Sequence, residues 1–144
     1  MMATHRQFDH FTRTLFRVEI EGVTQGSFTA VQGLEISVDV VNYADGSDLI
    51  ARKRPGRVRY SNIVLKRGYL NNTELWDWFK TVADGRAERR AGSIILMADD
   101  GTEVTRYNFF EAWPCRWKGF DFDAGYSDAL VEEIELAVER IEHG

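Results

Sequence analysis

Side chains able to act as nucleophiles or metal ligands are few in this sequence and lie far apart. The histidines, His5, His10 and His143, fall in segments that we expect to be terminal tails, and Cys115 is the single cysteine. Catalysis needs groups held in a fixed geometry, which tails do not provide. A zinc site needs clustered Cys or His ligands, which the sequence lacks. We therefore predict no catalytic residue, no metal site and no cofactor.

Two carboxylate patterns resemble functional motifs only superficially. Asp121 and Asp123 have the spacing that opens a calcium loop, but Tyr126 occupies the position at which that loop requires glycine. The adjacent pairs Asp99–Asp100 and Glu132–Glu133 could in principle exchange protons with a substrate. Adjacent residues of a strand point to opposite faces, so such a pair is poorly placed to act on one substrate. We interpret these carboxylates as surface groups.

A dense group of positive charges is the most unusual polar feature of the chain. Its members lie close together in sequence and are Arg52, Lys53, Arg54, Arg57 and Arg59. The residues leave three interpretations open: a solvated loop, a nucleic-acid contact, or a contact with an acidic protein surface. A nucleic-acid site favours interleaved aromatic residues and a basic chain, whereas only Tyr60 is near and the net charge is −5. The chain itself supplies acidic groups that could face the cluster, namely Asp121, Asp123, Asp128, Glu132, Glu133 and Glu135.

The bulk properties describe an ordinary globular domain. A chain of 144 residues and 16.6 kDa suits one core, so we predict a single domain over residues 1–144. No apolar run approaches the roughly 18 residues of a membrane helix, and the N-terminus lacks the apolar stretch of a signal peptide. We therefore expect assembly in the cytoplasm, without membrane insertion, and a lone cysteine fits that reducing compartment.

Alternating hydrophobicity predicts the first part of the secondary structure. Residues 1–13 are polar and are predicted to form an N-terminal arm. From Thr14 onward, the apolar Phe16, Val18 and Ile20 alternate with charged residues, which is typical of a half-buried strand. This strand is predicted to lead through a glycine-bounded turn into a second one.

The second predicted strand, Phe28–Val41, has two faces of opposite character. Its apolar face, which we expect to enter the core, consists of Leu34, Ile36, Val38 and Val40. Its polar face consists of Glu35, Ser37 and Asp39. Gly33 within this run indicates a bulge or a sharp bend.

A long polar connection follows. Residues 42–56 are predicted to be a loop, which is long for a connection between strands and is therefore expected to be functional. A third strand is predicted over Arg57–Arg67, with a change of phase at Ser61–Asn62.

One helix and one tight hairpin are well marked. Asn71 is predicted to cap the helix with Glu74 as its capping-box partner, and Gly85 to end it. The apolar stripe predicted to face the sheet consists of Leu75, Trp76, Phe79, Val82 and Ala83. Strands over Ser93–Ala98 and Val104–Trp113 are predicted to form a hairpin, because Asp-Gly between them favours a tight turn. Pro114 is expected at an edge or a bulge.

The C-terminal segment is ambiguous on its residues alone. A helical stripe can be drawn through Leu130, Ile134, Ala137, Val138 and Ile141. A strand face can equally be drawn through Leu130, Ile134, Leu136 and Val138. The helix propensity of Glu, Leu and Ala favours the helix, and the pattern itself leaves both possibilities open.

Short motifs in a fixed order, spread from Phe16 to Ile141, resemble the tail tube protein family of contractile phages and related contractile injection systems. In chain order the motifs are Phe16-Arg17-Val18, Gly26-Ser27-Phe28, Val31-Gln32-Gly33-Leu34, Tyr43-x-x-Gly46, Arg54-Pro55-Gly56, Ile63-x-Leu65-Lys66-Arg67-Gly68, Leu75-Trp76-x-Trp78 and Phe109-x-x-Ala112-Trp113-Pro114. Each motif is weak alone, whereas their shared order is specific. The family has a long strand at the C-terminal segment, so the resemblance implies a strand there.

The resemblance implies a fold and a structural function, so that the chain would not be an enzyme. The fold would be mainly β with one α-helix, a β-barrel or sandwich of the tail tube type. Six copies would form a ring, and rings would stack into a hollow inner tube that a contractile sheath surrounds and drives through a target envelope. The implied partners are further copies of the chain, the sheath protein, baseplate, spike and terminator proteins, and cargo in the lumen.

Within such a tube the loop 42–56 is expected to contact the adjacent ring. The residues predicted for this contact are Tyr43, Asp45, Gly46, Arg52, Lys53, Arg54, Arg57, Asp121, Asp123 and Glu132. The residues predicted to face the lumen are Glu35, Ser37 and Asp39, because an apolar bore would be an aggregation-prone surface. The alternatives are a soluble β-barrel module that binds a small ligand, and a baseplate or tube-initiator paralogue.

Overall fold

The computed structural model describes residues 15–47, 49–68, 73–86, 88–119 and 131–144, which form ten strands and one helix. The strands are β1 Leu15–Ile20, β2 Val23–Phe28, β3 Ala30–Gln32, β4 Ile36–Tyr43, β5 Arg52–Tyr60, β6 Ile63–Gly68, β7 Arg90–Met97, β8 Glu103–Lys118, β9 Val131–Ala137 and β10 Arg140–His143. The helix, α1, spans Glu74–Ala83. The expected mainly β fold with one helix is confirmed, and the predicted arm over residues 1–13 lies outside the described residues.

Eight strands form one sheet that turns back on itself. Their order is β2-β1-β7-β8-β9-β6-β3, with β10 added to β8, and all pairings are antiparallel. The two ends of this order are neighbours in sequence, since β2 ends at Phe28 and β3 begins at Ala30. The residue between them, Thr29, donates its backbone N–H to the carbonyl of Lys66 in β6 at 2.9 Å. The sheet therefore wraps around a single core.

Large apolar side chains from every side of the sheet fill this core. Ile63, Leu65 and Leu136 are fully buried, as is Phe109 of β8. A Cβ atom on Gly92 would lie 2.4 Å from the Glu19 carbonyl oxygen and 2.5 Å from the Phe109 ring, so only glycine lets β1 and the ring approach β7 this closely. The predicted alternation in β1 is confirmed, because Val18 and Ile20 are both buried.

The longest strand, β8, links the two halves of the sheet. Its first part pairs with β7 across the turn at Asp99–Gly101, as predicted, and its last part pairs with β9. Glu111 has a φ of 55°, and the chain bends there between the two parts. Pro114 is buried where the register with β9 shifts, so its predicted place at a bulge is confirmed.

The C-terminal segment is extended, as the resemblance implied. β9 and β10 are strands, with Ile134, Leu136 and Ile141 facing the core. The propensity argument for a helix fails here, because β9 pairs with strands on both sides and these pairings outweigh the preference of single residues. β10 includes His143, so this histidine belongs to the sheet and the prediction that it lies in a tail was wrong.

The predicted strand Phe28–Val41 is broken at Gly33. This glycine has a φ of 102°, and a Cβ there would lie 2.2 Å from the carbonyl oxygen of Asn62. Leu34 follows with a φ of 54°. The expected bend is therefore a complete break, after which β4 leaves the barrel and pairs with β5 in a separate two-stranded sheet.

Three of the four side chains assigned to the core face of that strand are exposed. Ile36, Val38 and Val40 retain 48%, 47% and 62% of their accessible surface, and Leu34 is the member that packs against the core. The prediction was wrong because alternation shows which residues share a face. It does not show whether the same chain supplies a layer to cover that face.

Seven of the fifteen residues in the predicted loop 42–56 belong to strands β4 and β5. β4 continues to Tyr43 and β5 begins at Arg52, and the antiparallel pairing of the two strands makes them one long hairpin. The third predicted strand is divided at Ser61–Asn62, where the change of phase was seen, into β5 and β6. The whole basic cluster therefore lies on β5, including Arg52, Lys53 and Arg54, which were predicted to lie in the loop.

The helix packs through a stripe that differs from the predicted one, of which Trp76 and Ala83 are exposed. Leu75 and Trp78 are buried, whereas Trp76 keeps 40% of its surface. The Trp78 indole N–H donates to the carbonyl of Glu88 at 2.8 Å, which satisfies its polar atom inside the core. The helix begins at Glu74 with Thr73 in the capping position, Asn71 lies outside the described residues, and Gly85 follows the last turn as predicted.

Candidate assembly surface

The hairpin of β4 and β5 has an apolar side that nothing in the described chain covers. Val38 lies directly opposite Val58, and Ile36 and Val40 share their face at alternate positions of β4. Val58 is 52% exposed, which is close to the exposed fractions of Ile36 and Val38. We call Ile36, Val38, Val40 and Val58 the hairpin apolar face. Soluble proteins rarely leave such a contiguous strip in water, so this face has the character of a contact surface.

The opposite face of the hairpin is polar. Arg59 Nε donates to both carboxylate oxygens of Asp39, at 2.8 and 2.9 Å. These hydrogen bonds lower the pKa of the Asp39 carboxyl below its ordinary value and raise the pKa of Arg59. Ser37 lies opposite Arg59 and is exposed, as is Glu35 just before β4. The three residues predicted to face the lumen thus lie on or beside a hydrated surface.

The residues predicted for the inter-ring contact gather at the far end of the hairpin. Tyr43 and Arg54 lie close together, with the guanidinium 5.7 Å from the ring centroid, which is a cation–π geometry. The remaining exposed members in this part of the hairpin are Asp45, Gly46, Arg52 and Lys53, whereas the exposed Arg57 lies nearer the middle of β5. Leu49 and Ile50 near the turn are also strongly exposed. The hairpin end therefore presents positive charge beside apolar side chains.

Among the described residues, the acidic member of the predicted contact outside the hairpin is Glu132. Asp121 and Asp123 lie outside the described residues, as does Asp128. Glu132 faces Arg67 across β9 and β6, with 12% of its side chain exposed and Arg67 Nε 3.5 Å from its carboxylate oxygen. Its charge is thus engaged within the subunit. This partner could not be seen from the sequence, because the register of two distant strands brings the pair together.

Glu133 and Glu135 are also committed to partners in the same chain. Arg116 of β8 donates to both carboxylates, and Asn62 donates to Glu135 at 2.9 Å. The hydrogen bond from Arg116 lowers the pKa of Glu133. The pKa of Glu135 is lowered most by the hydrogen bond from Asn62 and next by the one from Arg116. Lys66 adds a further ion pair to Glu133 at 3.6 Å. The outer face of β6, β9 and the end of β8 is therefore a charged but internally balanced network.

A cluster of three aromatic rings lies beside the helix. The Trp76 centroid is 5.4 Å from that of Trp117 in an edge-on contact and 5.8 Å from that of Phe79. We call Trp76, Phe79 and Trp117 the aromatic ridge. Trp76 is its exposed member, while the other two rings are half-buried. The sequence stripe could not separate Trp76 from Trp78, since only the packed helix shows which indole faces the core.

Within the described residues, neither catalytic nor metal-binding geometry appears. No group of three or more potential ligands is found there. His143 has Thr105 Oγ1 at 3.0 Å from its Nε2 and the Tyr107 ring in edge contact, so it is a packed surface residue of the sheet. No described helix is long and apolar enough to cross a membrane.

Comparison with solved structures shows that the fold is similar to that of Hcp1. The chain matches a structure of Hcp1 from Flavobacterium johnsoniae with a TM-score of 0.57 and 23% identity, over 90% of this chain and 94% of that one. At this identity the match establishes the fold alone. No curated protein sequence matches the chain.

Two further structures are more similar. A chain in the sheath–tube complex of an extracellular contractile injection system, PVC, in its extended state is 33% identical, with a TM-score of 0.80 over 90% of this chain and 87% of that one. A chain in the tube-terminating cap of the anti-feeding prophage is 27% identical, with a TM-score of 0.79 over 90% and 87%. The profile of the T4-like virus tail tube protein gp19 family matches residues 12–142. The chain therefore belongs to that family, a family of structural tube proteins.

Proposed function

We propose that this chain is a structural subunit of the inner tube of a phage tail or phage-tail-like contractile injection system. Six copies form a ring, and rings stack into a hollow tube inside a contractile sheath. The observation that carries the proposal is the uncovered hairpin apolar face, in a chain that belongs to a tail tube family. A monomer gains nothing from exposing this strip, whereas a polymer buries it in every copy. Its role is structural and not enzymatic.

Ring formation follows from a contact between two different surfaces of the same chain. Such a head-to-tail contact closes into a ring when the rotation between copies is one-sixth of a turn. The formal charge of each ring would be 6 × −5 = −30, so stacked rings repel one another unless opposite charges meet at their contact.

The far end of the hairpin is proposed to supply that contact to the adjacent ring. The exposed hairpin residues proposed for it are Tyr43, Asp45, Gly46, Arg52, Lys53, Arg54 and Arg57. The positive charges would meet acidic groups of the neighbouring ring, for which Asp121 and Asp123 remain the proposed partners. We leave Glu132 out of the contact, because Arg67 of its own subunit engages it.

The polar face of the hairpin is proposed to line the lumen. Glu35, Ser37 and Asp39 carry hydrated groups, and the pairing of Asp39 with Arg59 keeps the local net charge small. A hydrated wall without a large net charge gives passing cargo little to adhere to.

The partners follow from the same role. The similar chains come from a sheath–tube complex and from a tube-terminating cap, and we propose corresponding partners here: a sheath protein, baseplate and spike proteins, and a terminator. Because a cap chain matches nearly as well as a chain of the sheath–tube complex, the second candidate function is a specialised paralogue at one end of the tube.

Electron microscopy of the purified protein, with sizing at the same concentrations, tests the proposal. We expect six-fold rings and stacked tubes of uniform bore and variable length. Single rings that never stack would favour the paralogue at a tube end. A protein that stays monomeric at high concentration would favour a ligand-binding module and contradict the proposal.

A further inference from the structure

Exposed apolar side chains are distributed unevenly in this molecule. Ten large ones are exposed in the described residues, and seven of them lie in the hairpin of β4 and β5. The other three are Trp76, Val104 and Val131, of which Trp76 offers much the largest surface. The described chain thus presents one apolar strip and, on a different element, one exposed tryptophan.

The aromatic ridge holds Trp76 in place while leaving it accessible. Phe79 lies one helical turn away, and Trp117 comes from β8, so the ring is supported from its own helix and from the sheet. A tryptophan supported in this way offers a large and rigid surface at a small entropic cost, which is why this residue is enriched at protein contacts.

We propose that the hairpin apolar face of one copy docks onto the aromatic ridge of the next copy. This inference rests on the proposed function and specifies which two surfaces join. The two surfaces lie on different elements and have different shapes, so the contact is heterologous and can propagate from copy to copy. Pairing of β-branched residues with aromatic rings is favourable across β surfaces.

The hairpin and the helix carry opposite formal charges. The hairpin, Ile36–Tyr60, carries five basic residues and three aspartates, a formal charge of 5 − 3 = +2. The helix with its following residue, Glu74–Asp84, carries one lysine and three acidic residues, a formal charge of 1 − 3 = −2. Opposite charges would steer the hairpin of one copy toward the helix of another, and like charges would oppose pairing of two hairpins or two helices.

Two variants, each defective on one surface, test the contact. Val38→Asp with Val58→Asp places charge on the hairpin apolar face, and Trp76→Glu places it on the aromatic ridge. Val104→Asp is the matched control, because Val104 is 46% exposed and belongs to neither surface. Trp76→Phe keeps an aromatic ring on the ridge and serves as the conservative control. Circular dichroism and thermal melting verify that each subunit is folded.

The expected pattern is complementation. Each defective variant alone should remain monomeric by light scattering and native mass spectrometry, and both controls should form tubes. A one-to-one mixture of the two defective variants should form dimers and stop there. The intact hairpin of one variant can dock on the intact ridge of the other, but both remaining surfaces of the pair are defective.

The failures of this inference and of the proposed function can be told apart. If the folded Trp76→Glu variant forms normal tubes, or if the mixture stays monomeric, the ridge is not where the hairpin docks, and the inference is overturned while wild-type tubes still support the proposed function. A Trp76→Glu variant that forms tubes but no longer binds sheath would assign the ridge to that partner instead. If the wild-type protein forms neither rings nor tubes, both are overturned.

Discussion

At the scale of single residues, Arg67 and Glu132 form an ion pair whose side chains are largely shielded from solvent. Their side chains are 8% and 12% exposed, and Arg67 Nη2 and Glu132 Oε2 lack a hydrogen-bond partner. The guanidinium also lies 5.7 Å from the Phe28 ring centroid. Removing two charges from water is expensive, and attraction within the pair offsets that cost only while both charges are present. The pair therefore makes each of its members depend on the other.

Replacing one member should be far more damaging than replacing both. Arg67→Met leaves the Glu132 carboxylate buried and unpaired, which should lower the free energy of unfolding by about 3–5 kcal/mol. Arg67→Met with Glu132→Leu replaces the pair by apolar groups and should recover most of that loss. Urea unfolding of the three proteins measures the difference. Equal loss in the single and double variants would show that the ion pair is not the cause.

Arg116 is expected to control the acid titration of its neighbours. In Arg116→Met the pKa of Glu133 should rise toward its ordinary value, since the hydrogen bond from Arg116 is the main cause of its lowering. The pKa of Glu135 should rise less, because Asn62 still donates to it. A carboxylate with a lowered pKa stabilises the fold above its unfolded pKa, and this contribution is lost as pH falls through the folded value. The variant should therefore lack part of the wild-type stability at neutral pH, and its stability should depend less on pH in the acid range. Carboxyl titration by NMR, together with melting curves from pH 7 to 3, checks both points.

At the scale of elements, the helix and the hairpin differ in how many of their apolar side chains are buried within the subunit. α1 buries Leu75 and Trp78 and leaves Trp76 on the surface, so it is anchored to the barrel by its own chain. β4 and β5 bury almost none of their apolar side chains. Side chains buried within the subunit anchor the helix, whereas the apolar face of the hairpin needs another surface to cover it.

Substitutions along α1 should rank by burial. Trp78→Ala removes an indole that is 1% exposed and leaves the Glu88 carbonyl without its donor, so it should cost about 3–5 kcal/mol. Phe79→Ala should cost less, because its ring is only half-buried. Trp76→Phe should cost least. Thermal unfolding of the three variants gives the ranking, and a larger loss for Phe79→Ala than for Trp78→Ala would contradict the observed packing.

At the scale of the whole molecule, assembly has to overcome a net charge of −5 on every copy. The positive end of the hairpin is where the described residues concentrate compensating charge, and it belongs to a two-stranded sheet separate from the barrel. Such a placement lets a local attraction act between copies that repel one another at long range. It also makes tube formation sensitive to salt.

Reversing the charge of Arg52, Lys53 and Arg54 to Glu should leave the subunit folded but shorten or abolish tubes. The three side chains are exposed in the single subunit, so their reversal should leave the buried core intact. Changing Arg52 and Arg54 to Lys preserves charge and is the matched control. Tube length by negative-stain microscopy is the measurement, and normal lengths in the reversed variant would refute the inter-ring role.

The direction of the polar hairpin face can be tested in assembled tubes. Single cysteines at Glu35, Ser37 or Asp39, in a Cys115→Ser background, should react slowly with maleimides too large to enter the bore and readily with small ones. The Glu103→Cys variant, altered at an exposed position on β8, provides a reference rate. Rapid labelling of positions 35, 37 and 39 by the large reagent would place this face outside the tube.

The sequence by itself determined the elements whose signals are local. The alternation of β1, the turn at Asp99–Gly101 and the helix end at Gly85 all depend on a few neighbouring residues, and each is found where the pattern predicts it. The extended C-terminal segment was predictable through the family resemblance, although helix propensity pointed the other way. In the first three cases the interactions that decide the structure join residues close together in the sequence. In the fourth case the strand is shared by the whole family.

Only the tertiary structure decided which surfaces the subunit covers. The same alternation that buries Val18 and Ile20 in β1 leaves Val38 and Val40 of β4 in solvent, because β1 has the core behind it and β4 leaves the barrel after Gly33. The partner of Glu132 could likewise not be predicted from the sequence, since the register of β6 on β9 joins residues far apart in the chain. Hydrophobic patterning records that a face avoids water, while the packing of the whole chain determines whether that face is buried within the subunit or left for another copy.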